Sequence, residues 1–288
     1  MIMSELFKDK KPTLSFEVFP PKKDGVHIPL EKVFPTMDEL VSLNPSFISV
    51  TYGAGGGKGD SVTCGICRHI ASKGVLSMAH LTCVNSAKED IDRILDELES
   101  SGIENILALR GDIVPNIPPK KDFSYASQLI SYISERGGFH ISAACYPEGH
   151  INAPDLVTDI RHLKEKVDAG AEHLISQLFF DNSAFFRFRE LTAAAGINVP
   201  IEAGIMPVVN KKQIERMVSI CGASLPAKFS HTMARFENNP EALRDAGIAY
   251  AVNQIVELIA EGVDGVHIYT MNNPYVAKRI CDSVSSLL

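Results

Sequence analysis

The sequence predicts an α/β fold of the (β/α)8 TIM-barrel type, organised as one domain over residues 1–288. Three observations predict it. Eight short apolar runs recur along the 288 residues; stretches with helical periodicity separate them; no linker, low-complexity tract or charge block divides the chain. An open doubly wound sheet is the alternative arrangement of the same elements.

The strand candidates are 14–19, 46–50, 75–82, 104–109, 139–145, 173–178, 200–205 and 264–269. Each is short and rich in Ile, Val, Leu or Phe, as strands covered on both faces are. Helical patterns fit 29–43, 60–73, 87–100, 125–136, 155–169, 183–195, 210–220, 240–261 and 274–286. In 87–100, Ile91, Ile94, Leu95 and Leu98 fall on one apolar face, and Gly102 follows as a C-terminal stop. The connection between strands seven and eight is the longest and carries an extra helical piece.

Composition narrows the function classes. The chain is 45% hydrophobic and 22% charged, with net charge −7. That acidic balance argues against non-specific nucleic-acid binding. No run reaches the roughly 18 apolar residues of a membrane span, and the N-terminus lacks a signal-peptide core. Six cysteines fit a reducing compartment, with the cytoplasm as the expected location. Cys64-Gly65-Ile66-Cys67 is a lone C-x-x-C on a predicted helix, better read as packing than as a zinc or redox site.

The chemistry of a barrel sits where strands end and βα loops begin. The first strand holds Glu17 inside Leu14–Phe19 and stops at Pro20-Pro21. A buried carboxylate is costly unless paired or protonated. Glu17 therefore has two readings: an ion pair with an unseen Arg or Lys, or a protonated general acid. Half-protonation at pH 7 asks for a rise of about 2.7 pKa units, or roughly 3.7 kcal/mol.

Strand four ends in Arg110-Gly111-Asp112. The arginine can fork onto a phosphate or carboxylate, the aspartate can stabilise a developing cation, and a salt bridge between the two is the structural alternative. His80 ends strand three and reads first as a satisfied core histidine. Tyr146, Glu148 and His150 follow strand five, and Gln177 follows strand six as a reader of amide edges.

The glycine-rich stretch 53–59 is no P-loop, because Gly59 stands where Ser or Thr must follow Lys58. It is no dinucleotide fingerprint either, because Lys58 takes the third glycine position. There is no G-x-S-x-G or H-E-x-x-H, and the nine histidines are isolated, so no protein-held metal is expected. Carboxylates, amides and aromatics without metal or nucleophile suggest an organic cofactor.

Taken in order, Phe16–Pro21, Val50–Gly53, Ala79–Thr82, Ala108–Asp112, Tyr146–Glu148, Lys166–Gly170, Gln177–Asp181 and Gly204–Pro207 resemble the motifs of methylenetetrahydrofolate reductase. The resemblance runs from about residue 12 to 286 and rests on the ordered set. It implies a barrel that binds FAD without a Rossmann fold and reduces 5,10-methylenetetrahydrofolate to 5-methyltetrahydrofolate. It implies electrons from NADH, NADPH or a partner protein, and a homo-oligomer or complex. It also implies roles: Glu17 as the acid that opens the methylene bridge, Asp112 beside flavin and folate, and Gln177, Gln213, Met217 and Asn273 towards the substrate. Thr51, His80, Arg110, Gly111, Asp112, Tyr125, Ala144, Tyr146, His150, Asp159 and Lys166 are implied FAD contacts. Asn273 stands where the family often has an arginine that helps to hold folate.

Two alternatives remain at this level: another flavin barrel, such as one that oxidises proline, and a flavin-carrying electron-transfer subunit that needs a partner.

Overall fold

Eight parallel strands close into a barrel in chain order: β1 (Thr13–Val18), β2 (Phe47–Val50), β3 (Leu76–Thr82), β4 (Asn105–Leu109), β5 (His140–Cys145), β6 (His173–Ser176), β7 (Ile201–Ile205) and β8 (Gly265–Tyr269). β1 pairs with both β2 and β8, which closes the cylinder and sets Glu17 level with Ser49 and Tyr269. The computed structural model describes residues 3–9, 11–23, 25–52, 60–113 and 119–288; the side chains of Lys23, His27, Asp60, Ser61, Lys212, Gln213 and Arg216 are outside the described set. The glycine-rich stretch 53–59 lies outside the described residues.

Strand alternation decides what faces where. On β1, Leu14, Phe16 and Val18 join the apolar layer shared with the helices, while Thr13, Ser15 and Glu17 alternate with them and line the barrel. The barrel interior is accordingly mixed: these polar side chains of β1 share it with Phe47, Met78, Leu107 and Ile175 from other strands. Beneath the mouth, the fully buried Glu202 carboxylate accepts from Thr13 Oγ1 and from Ser15 Oγ (3.0 Å) and lies 3.5 Å from His173 Nε2. Burial works to raise the Glu202 pKa, but hydrogen bonding with His173 and Thr13 and the nearby imidazoles lower it overall. A one-turn 3-10 helix, Met3–Glu5, plugs the lower end: Met3 packs with Phe47, Met78, Leu107 and Ile175, and its N–H donates to Asn105 Oδ1 at 3.1 Å.

Helices α1 (Leu30–Val41), α2 (Asp60–Ser72), α3 (Lys88–Ser100), α4 (Ala126–Arg136), α5 (Leu156–Asp168) and α6 (Asn182–Ala194) each follow one strand. Three helices fill the long β7–β8 connection: α7 (Lys211–Cys221), α8 (Ala227–Phe236) and α9 (Pro240–Ala260); α10 (Pro274–Val284) follows β8. The sequence predicted one extra piece there and placed helices at 210–220 and 240–261; α8 is the element it did not place. Its apolar face is narrow, with only Phe229 and Met233 buried. A small hairpin, Lys22–Lys23 with Val26–His27, follows Pro20-Pro21 and was also unforeseen. Cys64 and Cys67 sit in the core on α2, as packing requires, and burial raises both thiols.

Candidate active site

Glu17 stands in a cavity of about 400 Å³ at the C-terminal mouth of the barrel. Its pKa is raised to about 8 by burial. Among the described residues no lysine or arginine pairs with it; its neighbour is His80, whose Nε2 lies 3.6 Å from Oε2. His80 is itself pulled down to about 3 by burial, with His267 acting in the same direction. Its Nε2 has no hydrogen-bond partner among the described residues. The 23% of the Glu17 side chain that remains exposed opens into the cavity, so a ligand there completes the desolvation.

The strand that carries Glu17 is held from β8. Thr270 Oγ1 donates to the Glu17 carbonyl at 2.7 Å. The Asn272 side chain then receives the Phe19 N–H (3.0 Å) and donates to the Phe19 carbonyl (2.8 Å), directly before the double proline. Tyr269, also lining the cavity, donates its hydroxyl to the Ser176 carbonyl at 2.6 Å. Gly204 permits that approach, since a Cβ there would sit 2.1 Å from the Ser176 oxygen and 2.8 Å from the Tyr269 hydroxyl.

Arg110-Gly111-Asp112 forms the rim beside β3. Gly111 has φ +82°, and a Cβ would meet Thr82 Cβ at 2.9 Å, so glycine is demanded twice. Arg110 Nε donates to the Gly111 carbonyl at 3.2 Å; among the described residues no ion pair joins it to Asp112. Asp112 is exposed and lines the cavity, with its carbonyl accepting from Asn85 Nδ2 at 3.1 Å.

A second cavity of about 490 Å³ continues outward over β4 and β5 towards α4 and α5. It shares Leu109, Arg110, Ala144, Tyr146 and His150 with the first. Tyr125, Asp159 and Lys166 line only this outer lobe. Lys166 Nζ donates to the Ala144 carbonyl at 2.9 Å, and burial lowers its pKa against the opposing pull of Asp159. Burial raises Asp159, whose carboxylate accepts the His150 N–H at 3.1 Å. The Tyr146 and His150 rings meet edge to face, 4.6 Å between centroids. The outer lobe is thus a polar slot with a buried cation and backbone anchors, suited to the far end of an elongated, charged ligand.

The structure brings most of the predicted site residues together. Glu17, Thr51, His80, Arg110, Gly111, Asp112, Ala144, Tyr146, His150, Gln177 and Met217 line the inner lobe. The Gln177 amide oxygen accepts the Leu178 N–H at 2.9 Å, which leaves its NH2 as the group to offer a ligand. Asn273 is placed elsewhere: its side chain caps α10 by accepting the Val276 N–H at 3.2 Å, and it borders a separate side cavity. The Gln213 side chain lies outside the described residues. Sequence reasoning assigned no role to Tyr269, Thr82, Asn85, Met206 or Cys221, all of which line the inner lobe. Their strand-end positions were the available signal for Thr82 and Tyr269.

The family model of methylenetetrahydrofolate reductase matches residues 2–285. A 5,10-methylenetetrahydrofolate reductase of Pectobacterium carotovorum subsp. carotovorum is 38% identical over 272 residues, covering 94% of this chain and 89% of that one. The Escherichia coli protein of the same description is 36% identical, covering 94% and 90%. Methylenetetrahydrofolate reductase (NADH) 1 of Arabidopsis thaliana is 39% identical over 90% of this chain but 46% of its own length. Among solved structures, an uncharacterized protein from Clostridium thermocellum described as binding two copies of 5-methyl-5,6,7,8-tetrahydrofolic acid superposes with TM-score 0.64, covering 100% of this chain and 99% of that one. At 12% identity that likeness speaks to the fold alone.

Proposed function

The chain belongs to the methylenetetrahydrofolate reductase family and reduces 5,10-methylenetetrahydrofolate to 5-methyltetrahydrofolate, a step of one-carbon metabolism; from that premise we propose that it does so with FAD, with Glu17 as proton donor and Asp112 as the counter-charge. The observation that carries this reading is a carboxyl with no lysine or arginine partner among the described residues, raised by burial to a pKa of about 8, in a cavity that shares a wall with a second, outer lobe.

The two lobes fit FAD by shape and by donor set. Lys166, Asp159, Tyr125 and His150 would hold the nucleotide end, and Arg110, Gly111 and Thr51 the region nearer the mouth. His80 Nε2, without a hydrogen-bond partner among the described residues, is a polar atom in want of a ligand or of the Glu17 proton. When bound, FAD supplies a hydride to the one-carbon bridge.

The remaining work belongs to the chain. Glu17 delivers its proton to the bridge nitrogen, so that the five-membered ring opens to a cationic iminium. The Asp112 carboxylate at the rim favours that cation, while the Gln177 amide orients the pterin edge. Two carboxyl groups in unlike surroundings thereby divide the roles of acid and counter-charge. NADH or NADPH, taking the same inner lobe before folate does, is the proposed donor; the Arabidopsis relative's name supports NADH. An absorbance titration of the purified chain tests this reading. A flavin spectrum, bleached by NADH or NADPH and restored by methylenetetrahydrofolate, is expected; a colourless protein that stays colourless with added FAD overturns it.

A further inference from the structure

The Glu17 carboxyl ends a flexible side chain and, among the described residues, has no hydrogen bond of its own; His80 stands 3.6 Å away. Its place is therefore inherited from the backbone of β1, and β1 ends one residue later, at Val18. The chain beyond is poorly equipped to hold itself. Pro20 and Pro21 have no N–H, so the β ladder cannot continue through them. The Pro21 carbonyl is anchored only by the turn that follows, where it accepts the Ile28 N–H at 3.0 Å.

The gap is bridged from β8. The Thr270 N–H and hydroxyl both donate to the Glu17 carbonyl, at 3.3 and 2.7 Å. Where the next rung of the ladder would come, the Asn272 side chain supplies it. Its amide oxygen accepts the Phe19 N–H at 3.0 Å and its NH2 donates to the Phe19 carbonyl at 2.8 Å. One side-chain amide thus satisfies both backbone groups of the residue before the double proline.

The backbone that aims this amide is strained. Met271 and Asn272 have φ +51° and +53°, and among the described residues Asn44 is the one other non-glycine residue with positive φ. Asn44 lies just past the end of α1, where a left-handed residue stops a helix. Met271 and Asn272 lie instead between β8 and α10, and Met271 lines the inner lobe. Strain of this kind persists where the surroundings over-determine it. Here they are Thr270 Oγ1, which accepts the Asn272 N–H at 3.2 Å, and the two bonds to Phe19.

We propose that Asn272, seated by Thr270, is a positioning residue for the proton donor: its amide fixes the backbone two residues beyond Glu17 and thereby the place of the Glu17 carboxyl in the inner lobe. Asn272 itself lines neither lobe. The proposal rests on the acid role given to Glu17 above. A reacting group must be held to within about 0.5 Å of its productive place, and the clamp is what holds this one.

Two variants test it on the full chain. Asn272→Gly deletes the amide, while glycine accepts the left-handed backbone without strain. Thr270→Val deletes the hydroxyl that holds both Glu17 and Asn272. The groups that titrate beside the carboxyl, His80 on β3 and Tyr269 on β8, stay in place in both. Stopped-flow half-reactions are expected to show folate reduction slowed about tenfold to a hundredfold, with the folate Kd and flavin reduction by NADH or NADPH within about twofold of wild type. A loosened strand end admits water to the carboxyl and lowers its pKa, so folate reduction is lost at lower pH than in wild type. The cofactor-free chain gives a reading that needs no turnover. Between pH 5 and pH 8 the fall in melting temperature relative to Glu17→Gln shrinks when Asn272→Gly is introduced into both proteins.

A lower melting temperature with the rate of folate reduction and its pH midpoint unchanged assigns Asn272 to stability alone and overturns the proposal. Equal losses in both half-reactions overturn it too. Failure of the wild type to reduce folate brings down the proposed function, and activity in Glu17→Gln brings down the acid role; in either case this inference goes with it. An inactive Glu17→Gln beside fully active Asn272→Gly and Thr270→Val removes this inference alone.

Discussion

His80 Nε2 lies 3.6 Å from the Glu17 carboxyl, and burial drives both groups to neutrality, Glu17 up to about 8 and His80 down to about 3. At neutral pH the pair is an acid beside an uncharged imidazole, not an ion pair. The proton on Glu17 is therefore available to a third party.

Glu17→Gln is expected to abolish folate turnover while leaving flavin binding and flavin reduction by the nicotinamide nearly intact. Stopped-flow measurement of the two half-reactions separates them. In the wild type the folate half-reaction should fall as pH rises through about 8, because the acid form is then lost. Normal folate reduction by the variant removes Glu17 from the acid role.

The same carboxyl shapes stability. Its folded pKa lies above its unfolded value of about 4.5, so the native state binds the extra proton between the two. Its contribution is complete below pH 4.5 and is lost as pH rises through about 8. The shift corresponds to about 5 kcal/mol at full effect. Thermal melts of the cofactor-free chain should show wild-type stability sinking relative to Glu17→Gln from pH 5 to pH 8. Parallel melting curves across that window would contradict the burial argument.

Asp112→Asn is expected to slow folate reduction by one to two orders of magnitude, about 1.4–2.8 kcal/mol, and to affect reduction of the flavin less. The counter-charge matters where a cation forms on the folate. Equal losses in both half-reactions would remove the separation of roles between Asp112 and Glu17.

Lys166→Met keeps the length of the side chain but deletes the charge and the bond to the Ala144 carbonyl. Flavin retention should drop by about tenfold or more, read as the 450 nm absorbance of dialysed protein, because a buried Asp159 is left without its cation. Unchanged flavin content would argue that the outer lobe holds something else.

Much of this site was legible in the sequence because β alternation is simple. A carboxylate flanked by Phe16 and Val18 must face the barrel interior if they face the helices. Arg110-Gly111-Asp112 was legible for a similar reason: a polar tripeptide directly after an apolar strand has only the rim to occupy. Asp159 and Lys166 were different. They stand on a helix, and their burial depends on how α4 and α5 approach β4 and β5, which no local pattern states; only the family resemblance pointed to them. The expectation for Asn273 followed a motif position and passed over a local signal, since Asn before Pro274 is itself a helix start. Helix α8 escaped notice because two buried residues on ten make too faint a stripe.

The wall formed by Arg110, Ala144, Tyr146 and His150 borders both lobes. A ligand in one lobe thereby touches side chains that a ligand in the other also touches. Whatever factor by which a nucleotide in the slot tightens the hold on a ligand at the mouth must be returned, unchanged, by that ligand to the nucleotide. If the shared wall couples the lobes favourably, folate would slow loss of the proposed nucleotide from the slot, and dialysis with and without folate would read that out.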